Sequence, residues 1–285
     1  LKKTAQKQPQ EKRPYIAQTV LITGCRSGFG TALALAFADA GWNVAATMRD
    51  PNRAPAELTD RDDIAVLRLD VTDTESIAEA VAATEERFGP IDALVNAAGF
   101  VVQGTIEELA LDDLRTQFET HVIGTAAVLQ AVLPGMRERR HGHVITFSSG
   151  AGLVGMPRIE AYSASKFAVE GMSESLQRSV DHLGLKVTIV EPGVFSTELG
   201  NSVLTPKNPV DDYDPSAAQA AEIYDWAPGD LDGAARAIAS IAGDSDAPLR
   251  LYVGHGLDDV RRHYQNRLDE WTSQEELIST TLGGN

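Results

Sequence analysis

Tyr162 and Lys166 stand four residues apart in the stretch AYSASKF at 161–167. Four residues is about one helical turn, so a phenol and an ammonium would share one helix face. The pair can be an acid and its helper. A tyrosine titrates near ~10, and an adjacent positive charge lowers that by roughly 1–3 units. The plainer reading is a pair of surface neighbours, and the spacing alone favours it. A second candidate is TGCRSGFG at 23–30, where Gly24, Gly28 and Gly30 fall in a GxxxGxG spacing. Such a turn lets the backbone bend sharply and approach a pyrophosphate, provided a strand precedes it and a helix follows.

The elements that would position these residues alternate along the chain. Apolar runs read as strands at 18–23, 42–48, 64–71, 91–99, 142–150, 185–193 and 249–254. Helical patterns lie between them. One follows the glycine turn and is closed by Gly41, and one runs from a cap at Asp73 or Thr74 to Phe88. Others cover 108–138, 160–182 and 230–242, and a charged helix ends the chain. Alternation of this kind implies right-handed crossovers and a parallel sheet covered on both faces. The expected fold class is α/β: a single doubly wound Rossmann domain over 18–285, with about seven strands. The polar stretch 1–17 reads as a disordered or artificially added extension. The Pro- and Asp-rich insertion at 198–229 reads as a substrate lid with a short helix near 215–225.

Bulk properties exclude several classes. The 285 residues carry a net charge of -16, against the basic face of a nucleic-acid binder. Cys25 is the only cysteine, so no intrachain disulfide or cysteine-cluster metal site can form. No apolar run is long enough to cross a bilayer, and the first 14 residues lack the apolar segment of a secretory signal. A reducing, cytoplasmic setting is expected, with no membrane partner.

In a doubly wound sheet the ligand sits at the carboxyl ends of the strands. The glycine turn lies there, where a helix N-terminus offers N–H groups and a positive dipole end, so a dinucleotide is expected. The tip of strand two distinguishes the two nicotinamide dinucleotides. An acid there binds the ribose hydroxyl of NAD, and a base accepts the extra phosphate of NADP. The strand ends in ATMRD, with Arg49 at the discriminating place, and Arg26 approaches from the glycine turn. Two guanidinium groups suit a phosphate dianion, so NADP(H) is favoured over NAD(H), with Asp50 the sign to the contrary.

With these motifs in order, the chain resembles the short-chain dehydrogenase/reductase family over about residues 18–255. The resemblance rests on TGxxxGxG at 23–30, NAAG at 96–99, Ser149 in SSGAG, YxxxK at 162–166 and PGVFST at 192–197. It implies that Tyr162 is the general acid/base, that Lys166 lowers its pKa and holds the nicotinamide ribose, and that Ser149 binds the substrate oxygen. Along the cofactor it places Ser27, Phe29, Asp70, Val71, Asn96, Ala97, Ala98, Gly99, Pro192, Gly193, Val194 and Thr197. Ser148 suits a turn-capping role better than Ser149 does. The wording resembles NADP(H)-dependent reductases of ketones, steroids or retinoids, and the resemblance implies a homodimer or homotetramer formed through the two long helices.

One position departs from the family pattern. His121 stands where the family has an asparagine that holds a water beside the lysine. An imidazole can serve as that relay and can also titrate, or it can be a packing replacement. His141 and His143 lead into a strand with no acidic partner nearby, so no metal is expected. Leu153, Val154, Met156, Val194, Phe195 and Leu199 suggest an apolar pocket and a hydrophobic carbonyl or alcohol substrate. Two other readings are a nucleotide sensor without turnover, and a sugar-nucleotide epimerase, whose GxxGxxG turn and larger C-terminal domain are lacking here.

Overall fold

Leu21 faces one side of the central sheet, and Val20 and Ile22 face the other, the period-2 alternation of a strand covered on both faces. The computed structural model describes residues 17–197, 203–206, 208–216 and 227–281. Its strands are β1 (Thr19–Thr23), β2 (Asn43–Met48), β3 (Ile64–Arg68), β4 (Ala93–Asn96), β5 (Gly142–Phe147), β6 (Leu185–Pro192) and β7 (Arg250–Val253). They form one parallel sheet in the order β3-β2-β1-β4-β5-β6-β7, so the order reverses between β1 and β4. β1 and β2 begin one residue inside their apolar runs, and β3 to β7 end before theirs do.

On one face, α1 (Gly28–Asp39) packs with a helix late in the chain, Leu231–Ile241, through Leu33, Phe37, Ala235 and Ile238. On the other lie α3 (Thr74–Phe88), α5 (Gly124–Arg139) and α6 (Glu160–Val180), with Ile77, Val128, Val132 and Val180 buried against the strands. Burial of such side chains contributes roughly 1.5–3 kcal/mol each before the entropy of ordering the chain is subtracted. Asp73 caps α3 by accepting from the backbone N–H of Glu75 and Ser76. Gly41, at φ +85°, ends α1 as expected. A short α2 (Ala56–Thr59) after β2 has no counterpart in the sequence pattern, four residues being too few to show a period.

The long helix expected at 108–138 is three pieces. α4 (Leu111–Phe118) passes through one wider π turn, Glu119–Ile123, into α5. A π turn inserts a residue and swings its side chains off the regular face, and His121 sits on it. Among the described residues no helix is long and apolar enough to cross a membrane. Much of the 198–229 insertion, including most of the short helix expected near 215–225, lies outside the described residues.

Candidate active site

At the reversal point Thr23 ends β1, and its hydroxyl accepts from the backbone N–H of Ala97 and Ala98 after β4, both at 3.1 Å. This ties the glycine turn to the NAAG turn. Gly24, at φ +82°, lies so close to Ala98 that a β-carbon on it would come within 2.8 Å of the Ala98 Cα. Gly30 fits against the backbone of Gly24 and Cys25, where a β-carbon would stand 2.6 Å from the Gly24 carbonyl carbon. Cys25 itself points inward, its thiol pushed up to about 12 by burial. Ser27 precedes α1 and makes no capping hydrogen bond, so its side chain does not occupy the helix N-terminus. Thr197 stands across from Gly28, whose β-carbon would lie 3.2 Å from the Thr197 Cβ. A cleft of about 550 Å³ opens beside this turn, lined by Arg26, Ser27, Gly28, Pro55, Thr197 and Asp232 among others. It belongs to the phosphate end and does not include Tyr162.

The cradle fits a dinucleotide. Its glycines remove side chains where a ligand backbone must approach, and a helix N-terminus faces the gap. Asn96 is buried, yet neither its amide nitrogen nor its oxygen has a hydrogen-bond partner. Such an orphan suits a site completed by another polar group. Arg49 is exposed at the end of β2. Asp50 turns away to cap the next turn, accepting from the Asn52 backbone N–H and side-chain amide, both at 3.1 Å. One oxygen of Asp70 accepts from the Thr72 N–H and hydroxyl, while Val71 is buried against Gly124.

Two aromatic side chains pack against the core and each other. Phe29 stacks on Phe147 and Phe195, with centroids at 5.1 and 4.8 Å, so only its backbone faces the cradle. Phe195 is partly buried against the core, where it fills the space over Gly229 and Gly254. The apolar wall beside Tyr162 is instead Val101, Ala151, Met156 and Ile159. Val101 and Ile159 were missed because they come from loops far apart in sequence. Leu199 lies outside the described residues.

Ser149, Tyr162 and Lys166 meet at the carboxyl end of β5. The Ser149 hydroxyl accepts from the Ala151 N–H at 3.2 Å and lies beside the Tyr162 phenol. Ser149 is therefore the turn cap, a role the sequence suited better to Ser148, which is buried beside Glu170. The Lys166 Nζ donates to the Phe147 carbonyl at 2.8 Å and stands 5.6 Å from the centre of the Tyr162 ring. Tyr162 and Lys166 are both buried, 7% exposed each, so the reading as surface neighbours fails. Burial lowers the lysine to about 8, with the Glu170 carboxylate pulling the other way. The phenol is raised by burial, and the Ser149 hydroxyl beside it offsets this only in part. The expected lowering by Lys166 is not among the causes of the Tyr162 shift, whose direction is set by desolvation of the phenolate.

His121 is 1% exposed. Its Nε2 accepts from the Phe100 N–H at 3.1 Å, and its Nδ1 lies 2.9 Å from the Ser165 hydroxyl. Ser165 donates to the Tyr162 carbonyl at 2.7 Å, so the Nδ1 carries the proton and donates to Ser165. Gln117 donates to the Phe100 carbonyl and accepts from the Val102 N–H, completing the clamp. Burial first, and then the nearby Lys166 charge, holds the imidazole well below its ordinary titration range. His143 is also buried, against Thr188, and among the described residues no cluster of potential metal ligands exists.

A site of this form on a doubly wound parallel sheet defines a nucleotide-dependent oxidoreductase. The chain belongs to the short chain dehydrogenase family, whose model matches residues 18–208. An oxidoreductase designated BOA17 from Botryotinia fuckeliana is 33% identical over 239 residues, which is 82% of this chain and 87% of that protein. Human retinol dehydrogenase 8 is 38% identical over 195 residues, or 66% of this chain and 62% of that one. A short-chain dehydrogenase structure from Streptomyces avermitilis superimposes with a TM-score of 0.88 at 35% identity, covering 95% of this chain and all of that one. The chain is an oxidoreductase of this family, which transfers hydride with NAD(P).

Proposed function

We propose that the protein transfers hydride between NADP(H) and a hydrophobic carbonyl or secondary alcohol, with Tyr162 as general acid/base. The observation that carries this is the meeting of Ser149, Tyr162 and Lys166 beside an apolar wall at the mouth of the glycine cradle. The nicotinamide supplies or takes the hydride when bound. Gly24, Ser27, Gly28, Gly30, Ala97, Ala98, Gly99, Pro192, Gly193, Val194 and Thr197 would line it by backbone or short side chains, with the Asn96 amide, Asp70 and Val71 along its length. Arg49 and Arg26 would hold the additional phosphate, an assignment supported by the diversion of Asp50 into a turn. Ser149 holds the substrate oxygen, and Tyr162 passes it a proton or takes one away. Lys166 stabilises the phenolate by its charge and would bond the ribose.

The chain covers 62% of retinol dehydrogenase 8, so a retinoid-like substrate is an extension of that likeness, supported by Val101, Met156 and Ile159. Described residues of the insertion lie against this wall. Leu204 exchanges backbone hydrogen bonds with Val101 and Gln103, and Glu108 accepts from the Val210 N–H at 3.0 Å. Leu111, Ile123 and Phe167 leave apolar surface exposed on the long helices, which suits a homodimer or homotetramer.

The test is binding of NADPH and NADH, followed by loss of nicotinamide absorbance with a panel of apolar ketones, for wild type, Tyr162→Phe and Arg49→Ser. The reading expects tighter NADPH binding that Arg49→Ser reduces, and turnover that Tyr162→Phe abolishes. Cofactor binding with no turnover of any ketone or alcohol in the wild type would favour a sensor.

A further inference from the structure

Behind Lys166, away from the substrate wall, the structure buries two carboxylates that the reaction does not use. Glu170 lies one helical turn beyond Lys166 on the same face of α6 and is 7% exposed. Glu191, on β6, is 5% exposed. Arg250 of β7 reaches both, with its Nε 3.5 Å from Glu170 and 3.4 Å from Glu191, and it closes on Glu174 at 2.6 Å nearer the surface. Neither oxygen of Glu170 has a well-formed hydrogen bond. Burying an ionised carboxylate this way costs several kcal/mol unless charges compensate it. Two cations are at hand: Arg250 on one side and Lys166 on the other.

We propose that Glu170 is a positioning residue for the Tyr162–Lys166 pair: its buried carboxylate, pinned by Arg250, is the counter-charge that keeps the Lys166 ammonium protonated. This rests on the catalytic reading given above. An ammonium with one carbonyl partner is costly to bury. The other charged neighbours are consistent with the role. His121, on the π turn, faces Lys166 but stays neutral. Around Glu170 stand Glu174 on α6, Glu191 on β6, Arg250 on β7, Ser148 after β5 and Tyr264 on the helix Leu257–Thr272. Burial and the Glu170 charge push Glu191 up to about 7, so Glu191 takes up a proton near neutrality. Burial raises Glu170 as well, while the Ser148 hydroxyl and Arg250 oppose that rise.

The experiment follows the Lys166 ammonium directly, by the pH titration of its ¹³Cε resonance in lysine-labelled protein. The resonance is assigned by its loss in Lys166→Arg. Glu170→Gln is expected to lower the Lys166 midpoint by about 1 unit or more, the shift expected of a buried opposite charge one helical turn away. The alkaline limb of kcat/KM should move down with it. Glu170→Asp keeps the charge and should hold both near wild type. Glu174→Gln, which touches the same arginine but lies a turn further from Lys166, should move neither. A Lys166 midpoint unchanged in Glu170→Gln, or moved as far by Glu174→Gln or Glu170→Asp, would overturn the proposal. Turnover that survives Tyr162→Phe would instead overturn the catalytic reading, and the resonance titration would still decide the role of Glu170.

Discussion

Replacing His121 by leucine removes a buried imidazole of similar size and leaves its partners to be accounted for. Ser165 keeps its bond to the Tyr162 carbonyl, but the Phe100 N–H loses its acceptor. An orphaned buried donor costs about 1–3 kcal/mol, so His121→Leu should be less stable than wild type by about that much at pH 7.5. The second consequence depends on pH. His121 is held neutral in the folded chain, its pKa lowered by burial and by Lys166, while in the unfolded chain it binds a proton near ~6.5. A depressed histidine therefore favours unfolding as pH falls, because below ~6.5 the unfolded chain holds one more proton. Between pH 7.5 and 5.5 this removes about 1 kcal/mol from the wild type and nothing from the leucine variant. The buried Glu170, Glu191 and His143 titrate in both proteins and largely cancel in the difference. Urea unfolding of the two proteins at pH 7.5, 6.5 and 5.5 reads the gap between them. It should narrow by about 1 kcal/mol toward pH 5.5. A constant or widening gap would refute the neutral, doubly bonded histidine.

Other changes test the cradle and the scaffold separately. Gly30→Ala forces a β-carbon against the Gly24 carbonyl, and overpacking of this kind costs about 1–3 kcal/mol; if that strain falls on the cradle, NADPH affinity measured by fluorescence titration should drop roughly 5- to 100-fold. Gly171→Ala, in mid-α6 with open space around it and an ordinary helical backbone, should stabilise the protein by about 0.4–1 kcal/mol without changing cofactor affinity, as thermal melts and the same titration would show.

The sequence by itself determined the sheet and the place of the chemistry. Continuous apolar runs such as Thr19–Thr23, buried on both faces, and the crossover helices between them specify a parallel, doubly wound sheet. The motifs Gly24–Gly30 and Tyr162–Lys166 are local too, and their order along the chain placed them at one end of that sheet. Tertiary structure alone decided what surrounds them. His121 is fixed by Ser165, 44 residues away, and by Phe100 across the crevice. Glu170 acquires its meaning from Arg250 and Glu191, on two neighbouring strands far along the chain. Phe195 looks like a pocket residue in sequence, and in the fold it packs against the core over two glycines. The direction of the Tyr162 shift follows the same rule. Spacing announces the lysine, but the direction of the shift is set by desolvation, which comes from the whole fold closing around the ring.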